Sequence, residues 1–87
     1  MDQFNEWDLA VGRVRGRWDK ASLRLKPYSK NAAYFAPGSV LCLQKDGQRQ
    51  LITLATSRAK DGCWIATCGL QTEAEADALI GSELFVD

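Results

Sequence analysis

Along most of the chain, apolar and polar positions alternate with a period of two, the spacing of half-buried strands. In residues 8–18, Leu9, Val11 and Val14 stand among charges, and Gly12 and Gly16 inside that pattern predict a bulge or sharp bend. Arg13, Arg15 and Arg17 alternate there, so a regular strand would project all three from one face. Residues 22–26 alternate more cleanly, with Leu23 and Leu25 inward and Arg24 and Lys26 outward; Asp19-Lys20-Ala21 is left as the turn between two antiparallel strands. Residues 39–45 form the next strand, ended by Asp46-Gly47, the strongest hairpin signal in the sequence. Residues 51–58 read as its partner, with Ile52 and Leu54 on one face, and Lys60-Asp61-Gly62 turns the chain into a strand over residues 63–70.

The period then changes to 3.6. Thr72 and Glu75 make a T-x-x-E capping box, Ala76, Leu79 and Ile80 form one apolar stripe, and Gly81 supplies the helix stop. Residues 83–87 carry Leu84 and Val86 as a last short strand. Between the second and third strands, residues 27–38 form an irregular loop in which Pro37-Gly38 suits the centre of a type II turn and which holds Tyr28, Tyr34 and Phe35. Six strands and one short helix before the last strand predict an all-β fold, a small closed antiparallel barrel, because closure removes exposed edges. Its expected core is Val11, Val14, Leu23, Leu25, Leu41, Leu43, Ile52, Leu54, Ile65, Leu70, Leu79 and Leu84.

Composition narrows the class. With 87 residues, 46 % of them hydrophobic and 25 % charged, the chain holds one globular domain over residues 1–87 rather than two cores or a disordered tract. No apolar run approaches the ~20 residues that cross a bilayer. The acidic first residues lack the basic and apolar regions of a secretion signal, which places the expected domain in the cytoplasm, off the membrane.

Net charge is zero, and the zero hides an asymmetry. Residues 1–12 hold three acids and no base; residues 13–30 hold seven cations against Asp19 alone; residues 31–87 hold four cations and seven acids. If the first two strands pair, their basic faces coincide and form a patch for an anionic partner such as RNA or an RNA–protein surface. The same arithmetic also describes the solvated face of two strands. The candidate contacts are Arg13, Arg15, Arg17, Arg24 and Lys26, with Trp18, Tyr28 and Tyr34 as aromatics able to stack bases.

Catalytic and metal chemistry find little support. The chain has no histidine, so the usual general base and the Ser-His or Cys-His nucleophile pairs are missing. Cys42, Cys63 and Cys68 are too few for a four-ligand zinc site and lack CxxC spacing, which leaves them as small apolar fillers in a reducing compartment. The expectation is a non-enzymatic domain with no cofactor.

One family resemblance gathers these features. Val11-Gly12-Arg13-Val14, then Leu23-Arg24-Leu25-Lys26-Pro27-Tyr28, then Phe35 and Pro37-Gly38-Ser39-Val40-Leu41 resemble the N-terminal domain of the ribosome maturation factor RimM family. Gly69-Leu70, the acidic helix, Gly81, Glu83-Leu84 and Val86-Asp87 extend the match over about residues 8–87. The resemblance implies a six-stranded Greek-key barrel like that of translation factors. It also implies a non-enzymatic assembly chaperone that binds the small ribosomal subunit precursor through a protein of its head and aids ribosomal RNA processing; direct binding of ribosomal RNA is the alternative reading, and the chain is expected to be a monomer. Phe35 joins Tyr28, Tyr34 and the basic residues as an expected partner contact. The family carries a glycine-rich turn between its first two strands; here Gly16 is kept and Arg17-Trp18-Asp19-Lys20-Ala21-Ser22 replaces the rest. The family also continues into a PRC-barrel domain, for which this chain has no residues, so it corresponds either to an excised domain or to a single-domain relative.

Overall fold

The computed structural model describes residues 7–28 and 30–87. Its elements are β1 (Leu9–Arg17), β2 (Ser22–Pro27), a 3-10 turn (Ala32–Phe35), β3 (Val40–Lys45), β4 (Gln48–Thr53), β5 (Thr56–Lys60), β6 (Cys63–Thr67), α1 (Glu73–Leu79) and β7 (Glu83–Val86). All ladders are antiparallel and join the strands into one sheet in the order β4-β3-β7-β1-β2-β6-β5.

The strand count differs from the six expected, and the reason lies at Leu54 and Ala55. The Leu54 N–H donates to the Ser39 carbonyl at 2.9 Å, continuing the side of β3, whereas the Ala55 N–H donates to the Thr67 carbonyl of β6 at 2.7 Å. A single alternating run thus changes neighbour midway and becomes β4 and β5. No ladder joins those two strands to each other, so the sheet as paired is open at β4 and β5.

Local turn chemistry acts as the residue types dictate. Asp46 and Gly47, and Asp61 and Gly62, adopt the positive φ angles of two-residue hairpin turns. Gly38 has φ 90°, and the Ser39 N–H closes the Pro37-Gly38 turn on the Ala36 carbonyl at 3.0 Å. Thr72 caps α1: its hydroxyl oxygen accepts from the Glu75 N–H at 3.1 Å, and its O–H donates to the Glu75 carboxylate at 3.2 Å. The helix ends at Ile80, and Gly81 follows with φ 93°.

The inward faces of the strands meet in one cluster that includes Val14, Leu23, Leu25, Leu41, Leu43, Ile52, Leu54, Ala66 and Leu84, closed by Ala76 and Leu79 of α1. Of the expected core residues, Leu70 alone is half-buried rather than buried, packed against this cluster. Ile65 is buried but belongs to the other face, since its ladder partners are Arg24 and Arg58. No helix among the described residues is long and apolar enough to cross a membrane.

Candidate functional site

Two bulges in β1 decide where its arginines go. The pairing with β2 slips between Val14 and Gly16, leaving Arg15 without a ladder partner, and the pairing with β7 slips between Ala10 and Gly12. A one-residue slip sends the following side chains to the opposite face. Arg13 lies opposite Lys26 on the outer face, but Arg17 lies opposite Leu23, on the side of the core and of α1. There its guanidinium meets Asp77 at 2.9 Å and Glu73 at 3.3 Å. The hydrogen bond to Asp77 comes first among the causes that raise the Arg17 pKa. The expectation that Arg13, Arg15 and Arg17 share one face therefore fails at the bulge, and Arg17 is a tie between sheet and helix.

Arg13 and Lys26 belong to a polar row that crosses the outer face as Lys26, Arg13, Glu83, Gln44 and Arg49, in ladder register from β2 to β4. The exposed Tyr28 joins this row by donating its O–H to Glu83 at 3.1 Å. Desolvation first, then that hydrogen bond, push the Tyr28 pKa up, so the phenol holds its proton further into the alkaline range. Tyr34 is half-buried against the core, beside Trp7, Val40 and Val86 at another end of the sheet. Phe35 is 0 % exposed and stacks on Trp64 with ring centroids 6.0 Å apart, so it cannot touch a partner. Burial also explains why this aromatic sits in a 3-10 turn: the turn folds it under the sheet as a plug.

A second group of cations lies elsewhere on the outer face, over β2, β6 and β5. Trp18, 42 % exposed, has the guanidinium carbons of Arg24 and Arg58 at 5.7 and 5.8 Å from its ring centre and the Lys60 Nζ at 5.2 Å. The hairpin turn positions the ring. Asp19 accepts from the N–H groups of Ala21 and Ser22 at 3.0 and 2.9 Å, and the Trp18 N–H donates to the Ser22 carbonyl at 3.0 Å. Those bonds to Asp19, the Ala21 N–H leading, hold its carboxyl below the usual carboxylate range. Among the described residues, the left-handed conformations outside glycine are those of Asp46 and Asp61. The turn at 18–21 therefore closes through the Asp19 side chain and needs none of the glycines that the RimM family places there.

None of Arg24, Arg58 and Lys60 forms an ion pair with a carboxylate among the described residues. Arg24 Nε, buried, lacks a hydrogen-bond partner. Three cations around one ring repel one another, and the ring's quadrupole offsets that repulsion only in part. Beside the ring, a groove is lined by Ser22, Thr56, Ile65 and Thr67, with the Thr56 and Thr67 hydroxyls bonded to each other at 2.7 Å. The arrangement offers an anion charge, hydroxyl partners and a flat apolar face together.

Sequence reading placed Arg24 and Trp18 among the candidates but missed Arg58 and Lys60. Both lie in the stretch whose charge sums to acidic, and only the order β2-β6-β5 carries them to Arg24. The ladders Arg24 to Ile65 and Ile65 to Arg58 set that distance. No group of three or more His, Cys, Asp or Glu side chains among the described residues converges as a metal site would require. Cys42 and Cys63 are buried, and burial raises the pKa of the half-buried Cys68.

No family model and no curated protein matches the sequence. Among solved structures, the fold superposes on a crystal structure described as the 16S ribosomal RNA processing protein RimM from Pseudomonas aeruginosa, with a TM-score of 0.80 at 16 % identity. The likeness shows the fold. It covers 91 % of this chain and 49 % of the RimM chain, so this chain spans about half the length of that protein. The elements that carry the Trp18 cluster are thus part of a RimM-like fold.

Proposed function

We propose that this chain is a non-catalytic ribosome maturation module that docks on the small ribosomal subunit precursor, on a head protein or ribosomal RNA, and assists head assembly and RNA processing. The observation that carries this reading is the backbone likeness to RimM, a 16S ribosomal RNA processing protein, at a TM-score of 0.80. The chain's lack of histidine and the cations Arg24, Arg58 and Lys60, which form no ion pair among the described residues, agree with a binding role rather than a catalytic one. As part of the same reading, the fold is a barrel closed through the corner at Leu54 and Ala55, where successive N–H groups bond to both flanking strands. The module works in the cytoplasm as a monomer.

Co-sedimentation with immature small subunits tests the reading. The wild-type chain is expected to travel with the particles, and a folded triple variant, Arg24→Gln, Arg58→Gln and Lys60→Gln, is expected to do so less. Failure of the wild-type chain to associate with precursors of either head or body overturns the reading. Undiminished association of the triple variant moves the contact to the row at Arg13, Lys26 and Tyr28.

A further inference from the structure

We infer that Trp18 is a stacking site for a base of single-stranded RNA, whose flanking phosphates are held by Arg24, Arg58 and Lys60. The inference rests on the ribosomal reading in its choice of RNA as the anion, and on this chain's geometry for everything else. Three side chains of one sign converge on a single aromatic ring, at 5.2 to 5.8 Å, without a carboxylate partner among the described residues. An acidic peptide would use the charges and leave the exposed ring idle. A nucleotide uses both, because every base presents a π face next to a phosphate. The groove beside the ring holds the hydroxyl pair Thr56 and Thr67, bonded to each other at 2.7 Å, which leaves one O–H donor and free lone pairs for a sugar or phosphate oxygen.

The residues also divide the work. Arg58 and Lys60 stand on β5, which is an edge of the sheet as paired, and Arg24 stands two strands away on β2. A strand of RNA crossing from β5 to β2 passes along the groove that Trp18 and Ile65 both line. Because stacking does not distinguish base edges, the site takes single strands with little regard to sequence and rejects duplex, whose bases are already stacked.

The test is fluorescence anisotropy of a labelled single-stranded RNA of ~10 nucleotides, a length suited to one small β module, titrated with the 87-residue chain over a range of salt. Binding should weaken with salt, and Arg58→Gln or Lys60→Gln should each flatten the log–log slope by about 0.7. Trp18→Ala should lower affinity roughly five- to hundred-fold with the slope kept, the range of one lost stacking contact. Since Trp18 lines the same groove as the buried Ile65, Trp18→Phe serves as the folded companion and should retain most of the affinity. Duplex RNA of the same sequence should bind more weakly. The inference is overturned if the wild-type chain ignores the oligonucleotide, if an Arg58→Gln, Lys60→Gln double variant binds it as well with the same slope, or if a poly-glutamate competitor displaces it as readily as RNA. Loss of naked-RNA binding with intact co-sedimentation would sink this inference and leave the ribosomal reading standing; the reverse result would do the opposite.

Discussion

At the scale of single residues, the two glycines of β1 look alike in sequence and differ in what surrounds them. A Cβ added to Gly12 would stand 2.6 Å from the Lys26 carbonyl oxygen and 3.4 Å from the edge of the Phe35 ring. The backbone of β2 cannot yield as a flexible side chain could. Gly12 is therefore the point at which β1 is pressed against β2 and the Phe35 plug. Around Gly16 a Cβ would meet nothing within 4 Å, and its φ lies outside the left-handed range. Gly12→Ala should thus destabilise by about 1–3 kcal/mol, the usual cost of overpacking. Gly16→Ala should be neutral or stabilising by up to about 1 kcal/mol, through a less flexible unfolded chain. Urea midpoints of the two variants check this, and equal shifts would contradict the geometry. Both glycines stood out in the sequence as bulge candidates, and both bulges exist. Which glycine was indispensable was not legible, because the clash depends on Lys26 and Phe35, far along the chain.

At the scale of elements, α1 is held by two kinds of bond with different worth, a cap within its own first turn and an ion pair to the sheet. Thr72 satisfies an N-terminal N–H that nothing else in the helix can reach. Arg17 reaches across to Glu73 and Asp77 at the surface, where water and salt screen the attraction. Thr72→Ala is therefore expected to cost on the order of 1 kcal/mol, while Glu73→Ala, which leaves Arg17 its shorter contact with Asp77, should be close to neutral. Thermal melts at low and high salt separate the two, since only the Glu73 effect should fade with salt. The helix was readable because its cap, stripe and glycine stop are local. Hairpins at Asp46-Gly47 and Asp61-Gly62 were readable for the same reason. The side of the sheet taken by Arg17 was not, since one unpaired residue at Arg15 reverses the alternation from there on. Phe35 likewise read as a loop aromatic because its loop lacks a period, whereas its burial is decided by its neighbours Gly12 and Trp64, distant in sequence.

At the scale of the molecule, the sheet order both gathers the cations and decides how the chain unfolds. Counting charge by segment left Arg58 and Lys60 among acids; counting by neighbouring strands puts them with Arg24 and Trp18. The same topology gives the corner at Leu54 and Ala55 its weight. Leu54 is 1 % exposed within a core shared by Leu41, Leu43 and Ile52 on one side and Leu23, Leu25 and Ala66 on the other. Because both halves of the sheet bury their apolar faces in that one cluster, neither has a core of its own, and unfolding should be a single transition. Ala55→Pro removes the N–H that donates to Thr67, freeing the start of β5 from β6 without touching the cluster. If the core couples the halves, this variant should lower the urea midpoint while tryptophan fluorescence and far-ultraviolet circular dichroism still change together. Leu54→Ala, which opens the shared core itself, should cost more, about 2–5 kcal/mol, again with coincident probes. Fluorescence and circular dichroism that part company in Ala55→Pro, with β5 and β6 melting ahead of the rest, would show instead that the corner hinges two separately stable sheets.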